Sequence, residues 1–247
     1  PPKLSQDEHG DLVLLAELET ELTKRRRDRG MEFYIPNPMQ LRAHSSLAKT
    51  LLYIGGNRAG KSTFGAMELC FHLTRNYPSW FPESRRYKHP IKAVVVATEF
   101  PIVERVIEPK LMSYLPRAMF NTEKGGRLKR TPQGYLSRLV CTDGSTVDFL
   151  TNEMDDMAFE SADWDVYWGD EPQKKTKYFA IQRGLVDRQG ITILTFTPLT
   201  EPWIKEELVD RADGKRIDCI TVDIRDNKFD VAGNPILSEE AIQRFEE

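Results

Sequence analysis

Three stretches of this chain, with a few single residues, have the types and spacing to do chemistry on a nucleotide. The first is Gly55-Gly-Asn-Arg-Ala-Gly-Lys-Ser62, which fits G-x-x-x-x-G-K-[ST]. Its glycines allow a tight turn, so that the backbone of Gly55, Gly56, Asn57, Arg58, Ala59 and Gly60 can aim N–H groups at phosphate oxygens. Lys61 would reach the β- and γ-phosphates, Ser62 would hold Mg²⁺, and Thr63 follows it in the first turn of a helix whose N-terminus adds partial positive charge. The second stretch is Asp165-Val-Tyr-Trp-Gly-Asp-Glu-Pro172. A strand there delivers two adjacent carboxylates. Asp170 suits a metal-holding role at the Walker B position, and Glu171 suits orientation or deprotonation of an attacking water. The third is Ile191-Thr-Ile-Leu-Thr-Phe-Thr-Pro198, which puts Thr195 or Thr197 at the same sheet edge, within reach of a γ-phosphate or its water.

Single residues complete the set. Arg58 inside the loop, or Arg138 from a neighbouring subunit, could stabilise charge on a transferring phosphoryl group. Gln40 offers a donor and an acceptor to an adenine edge, and Tyr34 could stack on the base. Each feature has a plainer counterpart: a Gly-rich turn, an exposed acidic turn, a strand stopped by proline, an ordinary strand arginine.

The elements around these residues alternate. Ser5 to Arg29 reads as a helix with Ser5 as cap, and Leu12, Leu15, Leu18 and Leu22 form one apolar stripe. A proline-broken loop leads to a short helix, Pro38 to Ala48. Strands are expected at Thr50–Ile54, Lys92–Thr98, Tyr135–Cys141, Thr146–Leu150, Asp165–Trp168, Ile191–Phe196 and Lys215–Ile224. The turn Asp143-Gly144 marks a hairpin. Helices are expected at Ser62–Leu73, Ile102–Ser113, Tyr178–Leu185, Trp203–Arg211 and from Ser238 onward. The β-branched run at 92–98 suits a strand buried on both faces of a parallel sheet. This pattern defines an α/β fold with a mainly parallel central sheet.

At 247 residues, with 40% apolar and 30% charged residues, the composition is that of a globular protein. No run has the length of a membrane span, and no secretory signal is present. The opening Pro1-Pro2 points to a trimmed or excised polypeptide. Cys70, Cys141 and Cys219 have no metal-ligand or disulfide spacing and are read as reduced, mostly buried thiols of a cytosolic protein. The net charge of −3 argues against a general polyanion binder. Three basic clusters, Lys24–Arg29, Lys124–Arg130 and Lys174–Lys177, are solvated faces or phosphate contacts.

Gln40, the 55–62 loop, Trp168-Gly-Asp-Glu-Pro172, Thr195-Phe-Thr-Pro198 and the later Thr221…Asp226-Asn227, in this order, resemble the ATPase domain of the large terminase subunit of tailed bacteriophages. The resemblance runs from about Tyr34 to the end. It implies a P-loop NTPase of the additional-strand, RecA-like kind with helices on both faces of the sheet. The expected organisation is an N-terminal helix (1–33), an ATPase core (34–225) and the start of a small C-terminal lid subdomain (226–247). It further implies an ATP- and Mg²⁺-dependent motor that self-associates into a ring, works with portal protein and small terminase subunit, and threads double-stranded DNA into a procapsid in the host cell cytoplasm, with no membrane involved. A nuclease domain, usual in that family, is expected to be missing from this chain. Another nucleic-acid-translocating or helicase-like ATPase is an alternative. A regulatory GTPase is a weaker one, resting on Asp187-Arg-Gln-Gly190 and Asn227-Lys-Phe-Asp230.

Overall fold

The computed structural model describes residues 6–160, 162–197 and 201–246. Their strands are β1 (Thr50–Gly55), β2 (Lys92–Ala97), β3 (Arg127–Arg130), β4 (Leu136–Val140), β5 (Thr146–Thr151), β6 (Val166–Asp170), β7 (Ile191–Phe196) and β8 (Ile217–Val222). They form one sheet in the order β3-β4-β5-β2-β6-β7-β1-β8. From β5 to β8 every neighbouring pair is parallel, and β4 and β3 extend the sheet antiparallel to their neighbours. The P-loop strand β1 and the acidic strand β6 are therefore not neighbours, because β7 lies between them.

Apolar residues on both faces of the central strands explain the layering. Leu51 and Tyr53 of β1 belong to one core, and Leu52 and Ile54 to the other. The first core is covered by α2 (Pro38–His44), α3 (Lys61–Thr74) and a helical stretch made of α4 (Phe100–Ile102), a π turn (Val103–Ile107) and α5 (Glu108–Tyr114). The second is covered by α6 (Lys175–Val186) and by α7 (Pro202–Ile204), which runs into a π turn (Lys205–Val209). The chain closes with a short turn region and α8 (Glu239–Glu246), capped by the Ser238 hydroxyl, which accepts from the Ala241 N–H.

Two expectations change. The N-terminal helix, α1 (Gln6–Asp28), forms, but its leucine stripe does not pack on the domain: Leu12, Leu15, Leu18 and Leu22 are each about half exposed. The chain enters the core just after the helix ends, where Met31 is buried and Gly30 lies so close to Ser113 that a Cβ would fall 1.9 Å from its carbonyl oxygen. The expected cap Ser5 lies outside the described residues. Strand β3 was not expected, because Arg127-Leu-Lys-Arg130 is exposed throughout and shows no apolar alternation. Its pairing comes from β4, and its charges suit a sheet edge.

Beneath the first core lies a buried ionic group. Glu68 of α3 accepts from Arg85 Nη2 at 2.5 Å, contacts His44 Nδ1 at 2.7 Å and lies 3.4 Å from His72 Nε2. All four side chains are buried. Burial works against the Glu68 charge, yet Arg85 and the two imidazoles outweigh it and hold the carboxyl well below its usual range. Burial likewise pushes His44 and His72 down, which favours the neutral form of both rings.

Glu68→Gln leaves the Arg85 charge buried without its partner, and unfolding free energy should fall by about 3–5 kcal/mol. Denaturant titration checks this, and a loss within error of zero would contradict the pairing. The imidazoles set a pH dependence. The unfolded chain takes up protons as the pH drops through about 6.5, while the buried rings take them up less readily, so stability must fall on acidification. Denaturant titration should therefore give a lower unfolding free energy at about pH 5.5 than at about pH 7.5. Equal stability at both values would show that the rings are not kept neutral.

Candidate active site

The site grows from the C-terminal edge of β1, β7 and β6. At Gly55, where β1 ends, a Cβ would fall 2.5 Å from the Val222 carbonyl oxygen, so only glycine fits beside β8. The loop then uses two left-handed residues, Arg58 (φ 62) and Gly60 (φ 82), before α3 begins at Lys61. The Lys61 ammonium folds back onto its own loop. It donates to the carbonyls of Gly55 at 2.8 Å and Gly56 at 2.9 Å and to Thr197 Oγ1 at 3.0 Å. Burial lowers its pKa, and the carboxylates of Glu171 and Asp170 oppose that shift.

Strand register supplies the acids. Thr195 of β7 pairs with Tyr53 on one side and Asp170 on the other. Its buried hydroxyl accepts from Trp168 Nε1 at 2.9 Å and donates to Asp170 Oδ1 at 2.6 Å. The Trp168 ring fits because α3 carries Gly65 there, where a Cβ would lie 2.2 Å from the indole. Burial pushes the Asp170 carboxyl up to about 6, against the Thr195 hydrogen bond and with the help of the Glu171 charge. The Ser62 hydroxyl donates to the same oxygen at 3.4 Å.

Glu171 follows in a left-handed conformation (φ 65), held by its N–H donating to the Thr195 carbonyl at 2.8 Å. Its carboxylate accepts from the Thr197 N–H at 3.1 Å and the Thr197 hydroxyl at 3.3 Å, and lies 3.9 Å from Lys61 Nζ. The two threonines thus divide the work. Thr195 is buried and aims Asp170, while Thr197 joins Glu171 to Lys61. Pro198, the end of that block, lies outside the described residues.

The remaining candidates are placed differently. Arg58 is exposed and lines a cavity of about 450 Å³ with Ser238, Ala241, Arg244 and Phe245. Arg138 sits in β4, 3.3 Å from Asp148 of β5. Five strand spacings separate β4 from β1, roughly 24 Å, so it does not reach the P-loop of its own chain. Gln40 is buried and its carboxamide is engaged with backbone: Oε1 accepts from the Asn37 N–H at 3.0 Å, and Nε2 donates to the Gly60 carbonyl at 3.0 Å. The Tyr34 ring packs edge-on against His44, Phe71 and Tyr114, and its hydroxyl lies 2.8 Å from His44 Nε2 and 3.2 Å from Gln40 Oε1. Neither residue is free to meet a base in this arrangement.

Asn37 was not among the expected site residues, and Asn227 entered only through the late Asp226-Asn227 block and the Asn227-Lys-Phe-Asp230 pattern. Asn227 Nδ2 donates to the Arg58 carbonyl at 2.7 Å, and Asn37 Nδ2 donates to Asn227 Oδ1 at 2.8 Å. The signal for Asn37 was its N-x-x-Q spacing to Gln40, a capping box that the structure contains. The guanine-reading pattern also dissolves. Asp187 lies just after α6 and ahead of β7, at the sheet edge opposite the P-loop, and Asp230 caps its own turn at Ala232 and Asn234.

A P-loop after β1, an acidic pair after β6 and an intervening β7 define an additional-strand P-loop NTPase. The family model described as terminase large subunit, T4likevirus-type, N-terminal, matches residues 52–247, and the chain belongs to that family. No curated protein matches it. Among solved structures, it is similar to the large terminase of a thermophilic bacteriophage, at 16% identity and a TM-score of 0.58 over 86% of this chain and 50% of that one. A second structure of that terminase, in complex with ADP, gives a TM-score of 0.59 at 16% identity over 85% of this chain and 49% of that one. The large terminase ATPase domain of Thermus phage P74-26 is similar at 19% identity, with a TM-score of 0.52 over 70% of this chain and 69% of that one. The chain spans about half the length of the first of these terminases.

Thr195→Val keeps the shape but leaves the Trp168 N–H unpaired and removes a donor from Asp170. Unfolding free energy should fall by about 1–3 kcal/mol. Denaturant titration of the variant checks this, and unchanged stability would mean that the hydroxyl does not bridge the two.

Proposed function

We propose that this chain is the ATPase motor part of a large terminase subunit, hydrolysing ATP to drive double-stranded DNA into a procapsid. The observation that carries the hydrolytic half is the chain of contacts from Lys61 through Thr197 to Glu171 at the mouth of the P-loop. A purely binding loop has no use for a carboxylate oriented beside its phosphate-binding lysine. Arriving phosphates would draw the ammonium from the carbonyls of Gly55 and Gly56. That movement loosens Thr197, and Glu171 becomes free to accept a proton from an attacking water. The Ser62 hydroxyl and the Asp170 carboxylate are hard oxygen donors of the kind Mg²⁺ takes, and they already lie side by side. They would hold Mg²⁺, whose positive charge would offset that of the bound phosphates.

Charge on the transferring group falls to an arginine. Arg58 is close enough in sequence and space to act within its own chain. Arg138 could act only on a neighbouring subunit, in a ring, and would have to leave Asp148. Family membership supports portal protein, small terminase subunit and DNA as partners, and the host cytoplasm as the place of work. Among the described residues no helix is long and apolar enough to cross a membrane. Residues 226–247 are read as the start of a lid, since α8 faces Arg58 across the cavity beside the loop.

Phosphate release from ATP with and without duplex DNA tests the reading, with Lys61→Ala expected to abolish tight ATP binding. Glu171→Gln should keep nucleotide affinity and lose about 10²–10⁴-fold in turnover. Loss of affinity with unchanged turnover per bound nucleotide would make Glu171 structural. Arg138→Ala should leave binding by one subunit nearly intact and cut turnover of the assembled ring by about 10³–10⁵-fold. Mixing it with Glu171→Gln subunits should restore part of the activity. No recovery at any ratio, with assembly verified, would move the role to Arg58.

A further inference from the structure

Three buried carboxamides grip the outside of the P-loop, and their hydrogen bonds admit one orientation. Gln40 Oε1 accepts from a backbone N–H, that of Asn37, so its NH₂ must face the Gly60 carbonyl. Asn37 Oδ1 accepts from the Gln40 N–H at 2.7 Å, so its NH₂ must face Asn227 Oδ1. The Asn227 NH₂ is then left to donate to the Arg58 carbonyl. Flipping any one amide sets two donors or two acceptors against each other. Residues far apart in sequence thereby act as one rigid part, and Asn37, Gln40 and Asn227 are all buried.

The two gripped carbonyls belong to the two left-handed residues of the loop. A left-handed conformation at a non-glycine such as Arg58 is strained and persists only where surroundings hold it. Here the Asn227 Nδ2 donates to the carbonyl of that residue. In a trans peptide the C=O of one residue and the N–H of the next point in opposite directions. Holding the Arg58 carbonyl toward the clamp therefore turns the Ala59 N–H away from it, and the Gly60 carbonyl, held by Gln40 together with the Phe64 N–H of α3, does the same for the Lys61 N–H. Those N–H groups are the ones a phosphate would use.

We propose that Asn37, Gln40 and Asn227 are positioning residues that preset the P-loop for the triphosphate, so that they govern affinity for any nucleotide and not the choice of base. This rests on the nucleotide-binding reading above. It assigns Gln40 a task other than reading adenine, and gives the Asp226-Asn227 segment a task at the site. Backing comes from the first core, where Tyr34 and His44 tie the clamp to Glu68 and Arg85.

The test compares Gln40→Glu and Asn227→Asp with the unaltered chain. Each variant keeps size and acceptor but removes the donor to the loop. Binding of ATP, GTP and inorganic tripolyphosphate, each with Mg²⁺, is measured by calorimetry. All three ligands should weaken by a common factor of about 10–100 in both variants, the scale of taking one hydrogen-bond donor away from the loop. The double variant should lose less than the product of the single losses, because the residues act as a unit. Weakening confined to ATP, with GTP and tripolyphosphate unaffected, would overturn the proposal and make Gln40 a base reader. Unchanged affinity for all three would overturn it as well. If the unaltered chain binds none of them, the nucleotide-binding reading itself fails. Near-UV circular dichroism establishes that each variant is folded, and since the two substitutions sit on different elements, either alone decides the matter.

Discussion

The parallel hydrogen-bond ladder from β1 through β7 to β6 determines where every reactive group of this molecule can be. Strands lie about 4.8 Å apart, so inserting β7 sets the P-loop strand and the acidic strand roughly 9.6 Å from each other. That gap is wide enough for a polyphosphate, and β7 occupies its floor. Register does the rest. Tyr53, Thr195 and Asp170 lie in one row across the three strands. A slip of one residue would send Thr195 to the opposite face and leave Asp170 without its donor.

Burial on both faces keeps this ladder in place and imposes conditions of its own. Trp168 can reach Thr195 only because α3 has glycine at 65. The same helix carries Lys61 at its start and Glu68 two turns on. The start of α3 therefore presents Lys61 to the loop, and its middle is anchored by an ion pair under the first core. The site and the core are thus coupled through one rigid element.

Cations that look equivalent in sequence have unequal surroundings. In the cluster 174–177, Lys177 is buried, donates to the Asn152 and Met154 carbonyls and lies over the Phe159 ring, whereas Lys175 is an exposed partner of Glu207. In the cluster 124–130, Arg130 pairs with Glu108 while Arg127 stands exposed on an edge strand. A charge run therefore says little about a surface until the fold assigns partners.

Sequence alone was enough for what depends on short-range pattern. The strand–loop–helix around Lys61, the buried run at 93–97 and the hairpin at Asp143-Gly144 follow from local apolar periodicity and turn chemistry, which a few neighbouring residues determine. The edge strand β3 was illegible because its pairing depends on β4 and not on its own composition. The leucine stripe of α1 was legible as a helix but not as an exposed one, since periodicity does not say whether a partner surface is present. Only the tertiary structure separated Thr195 from Thr197, placed Arg138 away from its own P-loop and engaged Gln40 with backbone. It also brought Asn227 to Asn37 across 190 residues of chain. These outcomes depend on strand order, register and hydrogen-bond direction, and those are decided by contacts between segments that no local spacing records.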